Sequence, residues 1–311
     1  MTYMTFIEKA DLSIHNLTNE GGLLVPEQAR EFIEIAIVES VLLSMITVKS
    51  MSGPTFELSK MGFTGRVLRG ATESQALGVA DRSKPELGKV LLQTVEFIAE
   101  ARIPYGAVED NVAQGTFVDY ATKLLAQAVA RDMEDVAVNG DLTSSDVLYK
   151  KMDGFLKQIT TRVINAGGVK LTKSVFDTIV KTMPSQFFRG AKNMAIFTSK
   201  NAAIDYGSSV ANRQTPLGDN ALVKMSSGEY MGIPVVAVPL FPEQLGVNLN
   251  ATNVVMGDPK NMVVGIQREI RIETDKDISA REYIIVATLR FDAKWAHEPA
   301  VVKATGVLAA A

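Results

Sequence analysis

The spacing of hydrophobic and polar residues changes several times along this chain, and each change predicts a different kind of element. Residues 1 to 25 scatter single apolar residues among Thr, Asn, Ser and Gly and end in Gly21-Gly22, a pattern that predicts an extended arm. Pro26 then stands where a first-turn proline belongs, with Glu27 and Glu31 in the early turns. Ala29, Phe32, Ile33, Ala36 and Ile37 recur at helical spacing, so a core helix is predicted to about Val48.

From Gly53 to Pro104, glycines and prolines punctuate a stretch that begins and ends in strand-like runs, read as one long hairpin. Its return run, Lys89 to Ile103, puts Leu91, Val95, Phe97, Ala99, Ala101 and Ile103 on one side and Thr94, Glu96, Glu100 and Arg102 on the other. Leu87, Val90, Leu91, Val95 and Ile98 also fit a 3.6-residue period, so periodicity leaves strand and helix both open. As a strand, about 15 residues at roughly 3.3 Å each would reach about 50 Å, far beyond the ordinary length of about 5 or 6 residues. A two-stranded ribbon of that kind is not stable alone in water, which hints at a partner subunit.

Residues from about Val112 to Val138 predict a long helix, with Phe117, Ala121, Leu124, Leu125 and Ala128 on its apolar face and the pairs Asp119 with Lys123 and Arg131 with Asp135 on the other. The second half alternates. A helix capped by Thr172 carries Val175, Phe176, Ile179, Val180 and Met183, a strand follows over Met194 to Thr198, and a shorter helix from Lys200 leads into the polar stretch Asn212 to Gly228. Short strands then run over 233–239, 254–256, 262–266, 270–273 and 282–291, which suggests an α+β arrangement.

Composition narrows the chemistry. The 311 residues are 47% hydrophobic and 22% charged, which fits globular domains and allows two of them. A formal charge of −3 gives no basic footprint for sequence-specific nucleic-acid reading. With no cysteine there is no disulfide, iron–sulfur cluster or thiolate nucleophile, and two histidines, His15 and His297, exclude a multi-His metal site. The first 25 residues lack a secretory signal and no apolar run is long enough to span a membrane, so a cytoplasmic protein is expected. No nucleotide, acyl-transfer or zinc motif occurs, and neither catalytic residues, metal nor cofactor are expected. Asp132, Glu134 and Asp135 read as a solvated acidic face, His297 as a partly buried structural residue beside the only tryptophan, and 257–261 as a tight turn between strands.

The order of these elements resembles the major capsid proteins of tailed bacteriophages with the Hong Kong 97 fold. Gly21-Gly22-Leu-Leu-Val25-Pro26-Glu27-Gln28 and Glu39-Ser40-Val41-Leu42-Leu43 look like the passage from the arm into the first helix. Ala99-Glu-Ala-Arg-Ile103-Pro104 into Glu109-Asp110-Asn111 is similar to the end of the extended loop and the start of the spine helix. Met231 to Pro239 and Met256 to Arg271 resemble axial-domain strands and their return, and Arg290 to Lys294 with Pro299 to Lys303 resemble the closing peripheral strand and tail. The resemblance spans nearly the whole chain through order and spacing rather than one invariant motif.

It implies an N-terminal arm (1–25), a peripheral domain (26–52, 105–152 and 271–311), an extended β-hairpin loop (53–104) and an axial domain (153–270), and it resolves 89–103 as strand. It implies a head protein that self-assembles through hexamers and pentamers into an icosahedral shell around double-stranded DNA, in the host bacterial cytoplasm. Expected partners are a separate scaffolding protein, a portal, a decoration protein, and packaged DNA only non-specifically. An encapsulin-like compartment and a soluble α/β enzyme are the alternatives. Some family members join a loop lysine to a peripheral-domain Asn. Lys60, Lys84 and Lys89 could donate here, but no Asn follows Asn261. Basic loop residues Arg66, Arg69, Arg82, Lys84 and Lys89 are expected to meet an acidic neighbouring surface that includes Asp119, Asp132, Glu134 and Asp135, and Arg213, Asp219 and Lys224 to line the capsomer centre.

Overall fold

The computed structural model describes residues 41–62, 67–71, 76–78, 82–84, 86–106, 117–188, 190–211, 228–245, 250–267 and 271–309. The expected arm and most of the expected first helix lie outside these residues. The described residues divide into two compact units, one within 96–131 and 271–290, the other within 41–95, 132–267 and 291–309.

In the second unit, the helix expected to reach Val48 is not found over the described residues of that stretch: residues 41–46 form turns and Thr47–Met51 is a strand, β1. The β-branched Thr47 and Val48 suit an extended chain, and parallel pairing with β10 (Met262–Gln267), from Thr47 opposite Val263 to Met51 opposite Gln267, supplies backbone partners. β2 (Thr55–Gly62) and β3 (Glu86–Gln93) form an antiparallel hairpin, Thr55 facing Gln93 and Gly62 facing Glu86. The single 50 Å return strand expected from the sequence is therefore interrupted. Thr94 stands outside both strands, its N–H and hydroxyl bound to the Pro54 carbonyl at 2.9 and 3.1 Å, and a separate strand, β4 (Val95–Pro104), begins after it.

The larger sheet of this unit has the order β5-β13-β9-β6-β8-β7. Its strands are β5 (Val163–Lys170), β6 (Ala195–Thr198), β7 (Glu229–Tyr230), β8 (Ile233–Ala237), β9 (Ala251–Gly257) and β13 (Val302–Leu308). β9 is buried at all seven positions, the polar Thr252 and Asn253 included, as suits a central strand. The helix Lys173–Thr182 buries Val175, Phe176 and Ile179, and Phe176 stacks on Tyr230 at 5.0 Å and meets Tyr206 edge-on at 4.8 Å. Tyr206 comes from the helix Lys200–Ala211. Thr172 holds the N-cap position of Lys173–Thr182 but makes no capping bond through its side chain. β13 lies between β5 and β9, so the tail, 302–308, pairs with strands of the 153–270 stretch. Residues 291–295, the end of β12 (Glu282–Trp295), pair with β10.

In the first unit, β11 (Arg271–Asp277) and the first part of β12 form a hairpin running from Arg271 opposite Thr288 to Asp277 opposite Glu282, and β4 pairs with β12 on its other side. β4 alternates strictly between half-buried and exposed residues, which settles strand over helix. The hairpin turn is held by Asp277, whose carboxylate accepts from Ser279 N, Ser279 Oγ and Ala280 N at 2.7 to 3.0 Å.

The long helix is Phe117–Asn139. Its buried row, Ala126, Ala130, Met133 and Ala137, is rotated from the expected apolar face: Leu124 is exposed.

Candidate functional site

The hairpin of β2 and β3 carries the clearest candidate surface. Among the described residues the two strands pair only with each other. Alternation sends Leu58, Lys60, Val90 and Leu92 to one face, and Glu57, Ser59, Leu87, Lys89 and Leu91 to the other. The first face rests on the body: Leu92 is fully buried in a cluster with Met51 and Val263, against which Leu58 and Ala296 pack. The second face is open. Leu87 is 76% exposed, Leu91 is exposed beside it, and farther along the loop Leu68 is 92% exposed. Apolar residues gathered on one projecting ribbon mark a contact surface rather than a solvated one.

Asp292 anchors this ribbon. It is 2% exposed, and its carboxylate accepts from Gln93 N at 2.7 Å and Ala293 N at 2.8 Å. Burial pushes its pKa up, against the opposing effect of those bonds and of Lys294. His297, expected beside the tryptophan, meets the ring of Phe187 edge-on at 5.0 Å, and its backbone is clamped by Asn261 through bonds of 2.6 and 2.9 Å. Trp295 instead donates its Nε1–H to the Phe155 carbonyl at 3.0 Å.

The residues singled out from the sequence are placed as follows. Arg69 and Arg82 are exposed and donate to loop carbonyls of Leu68 and Leu77, each at 3.2 Å; Lys84 is exposed; Arg66 lies outside the described residues. Lys89 is exposed on the open face but is paired to Glu57 of its own hairpin at 2.5 Å. Asp132 is exposed, and the side chain of Asp119 lies outside the described residues. Glu134 is corrected: it is 3% exposed and accepts from Leu42 N at 3.3 Å, so it is no surface charge. Asp135 is also corrected. It is half-buried and accepts from the Tyr149 hydroxyl and Asn139 Nδ2, both at 2.7 Å. Arg213, Asp219 and Lys224 lie outside the described residues.

An open groove of about 720 Å³ runs past Asp135, Tyr149, Lys157, Lys200 and Glu243. Its polar groups serve one another: Lys157 binds Asp141 at 2.8 Å, Glu243 accepts from Asn201 N and Nδ2 at 2.9 and 2.7 Å, and Tyr149 is pushed up to about 12 by burial and the Asp135 bond. Among the described residues no group of three or more acidic or imidazole side chains could hold a metal.

The sequence signal for these features was partial. The period-two pattern located the hairpin, but which face meets the body depends on Met51, Val263 and Ala296, remote in sequence. Glu134 and Asp135 lie two and three residues after the exposed Asp132 on the same helix, and only its packing separates their roles.

Comparison with known proteins gives a consistent result. The profile of the Phage capsid family matches residues 20–306. The chain is 35% identical over 301 residues to the putative prophage capsid protein YqbE of Bacillus subtilis (strain 168), covering 96% of each. Its fold is similar to the capsid protein in the satellite phage P4 procapsid that includes the size determination protein, with a TM-score of 0.68 at 12% identity over 90% of each chain. It is also similar to the SrpI encapsulin of Synechococcus elongatus PCC 7942, with a TM-score of 0.58 at 10% identity over 86% of this chain and 87% of that one.

Proposed function

The chain belongs to the phage capsid family, and from that membership we propose how it builds its shell. It is a phage major capsid protein, a structural component of phage particles that associates in many copies. The family is not an enzyme class. The full-length likeness to a prophage capsid protein favours a phage head over an encapsulin compartment, because the encapsulin likeness at 10% identity speaks for the fold alone.

In our reading the copies assemble as hexamers and pentamers into an icosahedral head around double-stranded DNA, in the cytoplasm of the host bacterium. A scaffolding protein, a portal and a decoration protein are its further partners, and DNA is held without sequence reading. The observation that carries this reading is the self-paired ribbon with Leu87 and Leu91 outward, a surface that the described residues leave uncovered. The basic loop, Arg66, Arg69, Arg82 and Lys84, is steered onto a neighbour's acidic surface at Asp119 and Asp132, and sets register more than affinity. Arg213, Asp219 and Lys224 line the capsomer centre.

Light scattering and negative-stain images of purified protein test the assembly, with capsomers or shells expected and a sharp monomer at all salt and protein concentrations overturning it. The steering is tested by Arg66→Glu with Arg69→Glu, expected to block or misdirect shells while each chain still folds. Normal shells from the double variant at wild-type salt and concentration would leave the contact to the apolar ribbon face.

A further inference from the structure

Two helices, Lys173–Thr182 and Lys200–Ala211, pack on one face of the six-stranded sheet. Val175, Phe176 and Ile179 of the first share a buried cluster with Ala202 and Tyr206 of the second, and the Phe176 and Tyr206 rings meet at 4.8 Å. Both helices start from the same end of the sheet. β5 runs parallel to β13, and β13 and β6 both run antiparallel to β9, so β5 and β6 point the same way and each leads into one of the helices. Three strand spacings, roughly 14 Å, separate β5 from β6. Lys173 and Lys200 thus open the two helices at one end of the sheet, where Lys170 closes β5. Lys181 stands about 12 Å farther along the axis of the first helix.

The outward positions of this helix pair carry charge of one sign. Lys173, Ser174, Thr178 and Lys181 are exposed on the first helix, Lys200 and Ser208 on the second. Neither helix has an acidic residue in its first turn, and the two carboxylates they do carry are half-buried and engaged. Asp177 accepts from the Tyr230 hydroxyl, and Asp205 accepts from the Lys170 ammonium at 2.9 Å. Four lysines against two carboxylates leave this face two positive charges in surplus, in a chain whose formal charge is −3. Among the described residues Lys173, Lys181 and Lys200 make no ion pair, so their charge is open to an anionic partner.

We propose that this two-helix face, through Lys173, Lys181 and Lys200, binds the phosphate backbone of the packaged duplex DNA. The proposal rests on the capsid reading, which brings the DNA, and it names the surface by which the chain holds that DNA without reading its sequence. The composition of the face selects this partner over a second copy. Contacts between protein chains are rich in aromatic residues, Met and Arg and poor in Lys and Ser, whereas phosphates are met by lysines and by serine and threonine hydroxyls. Lysines and hydroxyls prevail here. Ile204, 47% exposed, is the one large apolar side chain at the outward positions of the two helices, unlike the ribbon with its row of leucines. A net negative chain can still hold DNA in this way, because phosphate attraction depends on the charge of the surface that touches the duplex.

Fluorescence anisotropy of a short mixed-sequence duplex with the purified, unassembled chain, repeated between about 50 and 200 mM salt, tests the surface. Lys173→Gln combined with Lys181→Gln and Lys200→Gln is expected to flatten the slope of log K against log salt by about 2 to 3, since each phosphate neutralised contributes about 0.9. The melting temperature should stay that of wild type, and the three corresponding Lys→Arg changes should restore the slope. Lys150→Gln with Lys151→Gln, exposed lysines of another segment, should leave it unchanged. In purified particles the three lysines should react with an amine reagent less when the particles are filled with DNA than when they are empty. No duplex binding at the lowest salt, an unchanged slope in the triple Gln variant, or equal labelling of filled and empty particles overturns the proposal. An unchanged slope together with a higher protein concentration needed for assembly assigns the face to a contact between copies. If wild type binds duplex through these lysines but forms no shells, the capsid reading fails and the DNA surface stands; if it forms shells and the slope does not move, the reverse holds.

Discussion

The carboxylate of Asp292 lies 2.7 Å from the backbone N–H of Gln93, and this bond fixes where the return strand of the hairpin ends. A break between two strands leaves a backbone donor without a ladder partner. Asp292 takes that donor from a buried position and binds Ala293 N with its other oxygen, while Thr94 turns back to Pro54. Asp292→Ala is expected to cost about 1–3 kcal/mol, because the N–H groups of Gln93 and Ala293 then lose their charged acceptor. Unfolding in urea measures it, and a midpoint unchanged from wild type would show that the break holds without the carboxylate.

The same residue gives a pH dependence of definite sign. Burial raises the Asp292 pKa in the folded chain, so folding favours its protonated form. Its favourable contribution is complete below the unfolded value of about 3.9 and is lost as pH rises through the folded value. Wild type should therefore lose more stability between pH 4 and pH 7 than Asp292→Asn does. Parallel stability curves for the two would contradict this.

Asp141 shows the opposite sign. The Lys157 ammonium and the hydroxyl and N–H of Thr143 hold its pKa down to about 2. Its contribution is present above the unfolded carboxylate value and lost as pH falls toward 2. A carboxylate titration by NMR should find Asp141 among the last groups to protonate, and Lys157→Gln should move it upward. An unchanged titration in that variant would leave Thr143 as the whole cause.

Gly140 and Gly154 close the end of the long helix against the following turn. Gly154 N donates to Gly140 O at 2.8 Å, and a Cβ on Gly140 would lie 2.5 Å from the Met152 carbonyl, one on Gly154 2.6 Å from Gly140 N. Backbone atoms cannot step aside as a flexible side chain can. Gly140→Ala and Gly154→Ala are each expected to cost about 1–3 kcal/mol by overpacking, measured as a fall in the urea midpoint.

What the sequence made legible was period and order. The helix Lys173–Thr182 and the strand from Ala195 appear where their spacing puts them, whereas for β4 the spacing left helix and strand open and the order of elements pointed to the strand that forms. Three features depended on distant residues. Thr47 and Val48 continue an apparently helical run, but β10, more than 200 residues away, draws them into a strand. The break at Thr94 requires Asp292, and the place of β13 requires β5 and β9 on either side. The acidic cluster failed as a set for a similar reason: composition counts Asp132, Glu134 and Asp135 alike, whereas Leu42 and Tyr149 draw two of them inward.

Two leucines of β3 separate folding from assembly. Leu92 is fully buried against Met51 and Val263, and Leu92→Ala should cost about 2–5 kcal/mol of chain stability through the lost contacts and the cavity left behind. Leu87 is 76% exposed on the opposite face and touches little of its own chain, so Leu87→Asp should leave the urea midpoint within about 0.5 kcal/mol of wild type. Its effect belongs to the contact between copies. Burying such a side chain is worth about 1.5–3 kcal/mol, and every copy in a shell repeats the loss, so Leu87→Asp should yield folded protein that sediments as monomers or isolated capsomers. If Leu87→Asp shells form at the wild-type concentration, the open face of the hairpin is not covered in the assembly, and the contact between copies must be sought elsewhere on the chain.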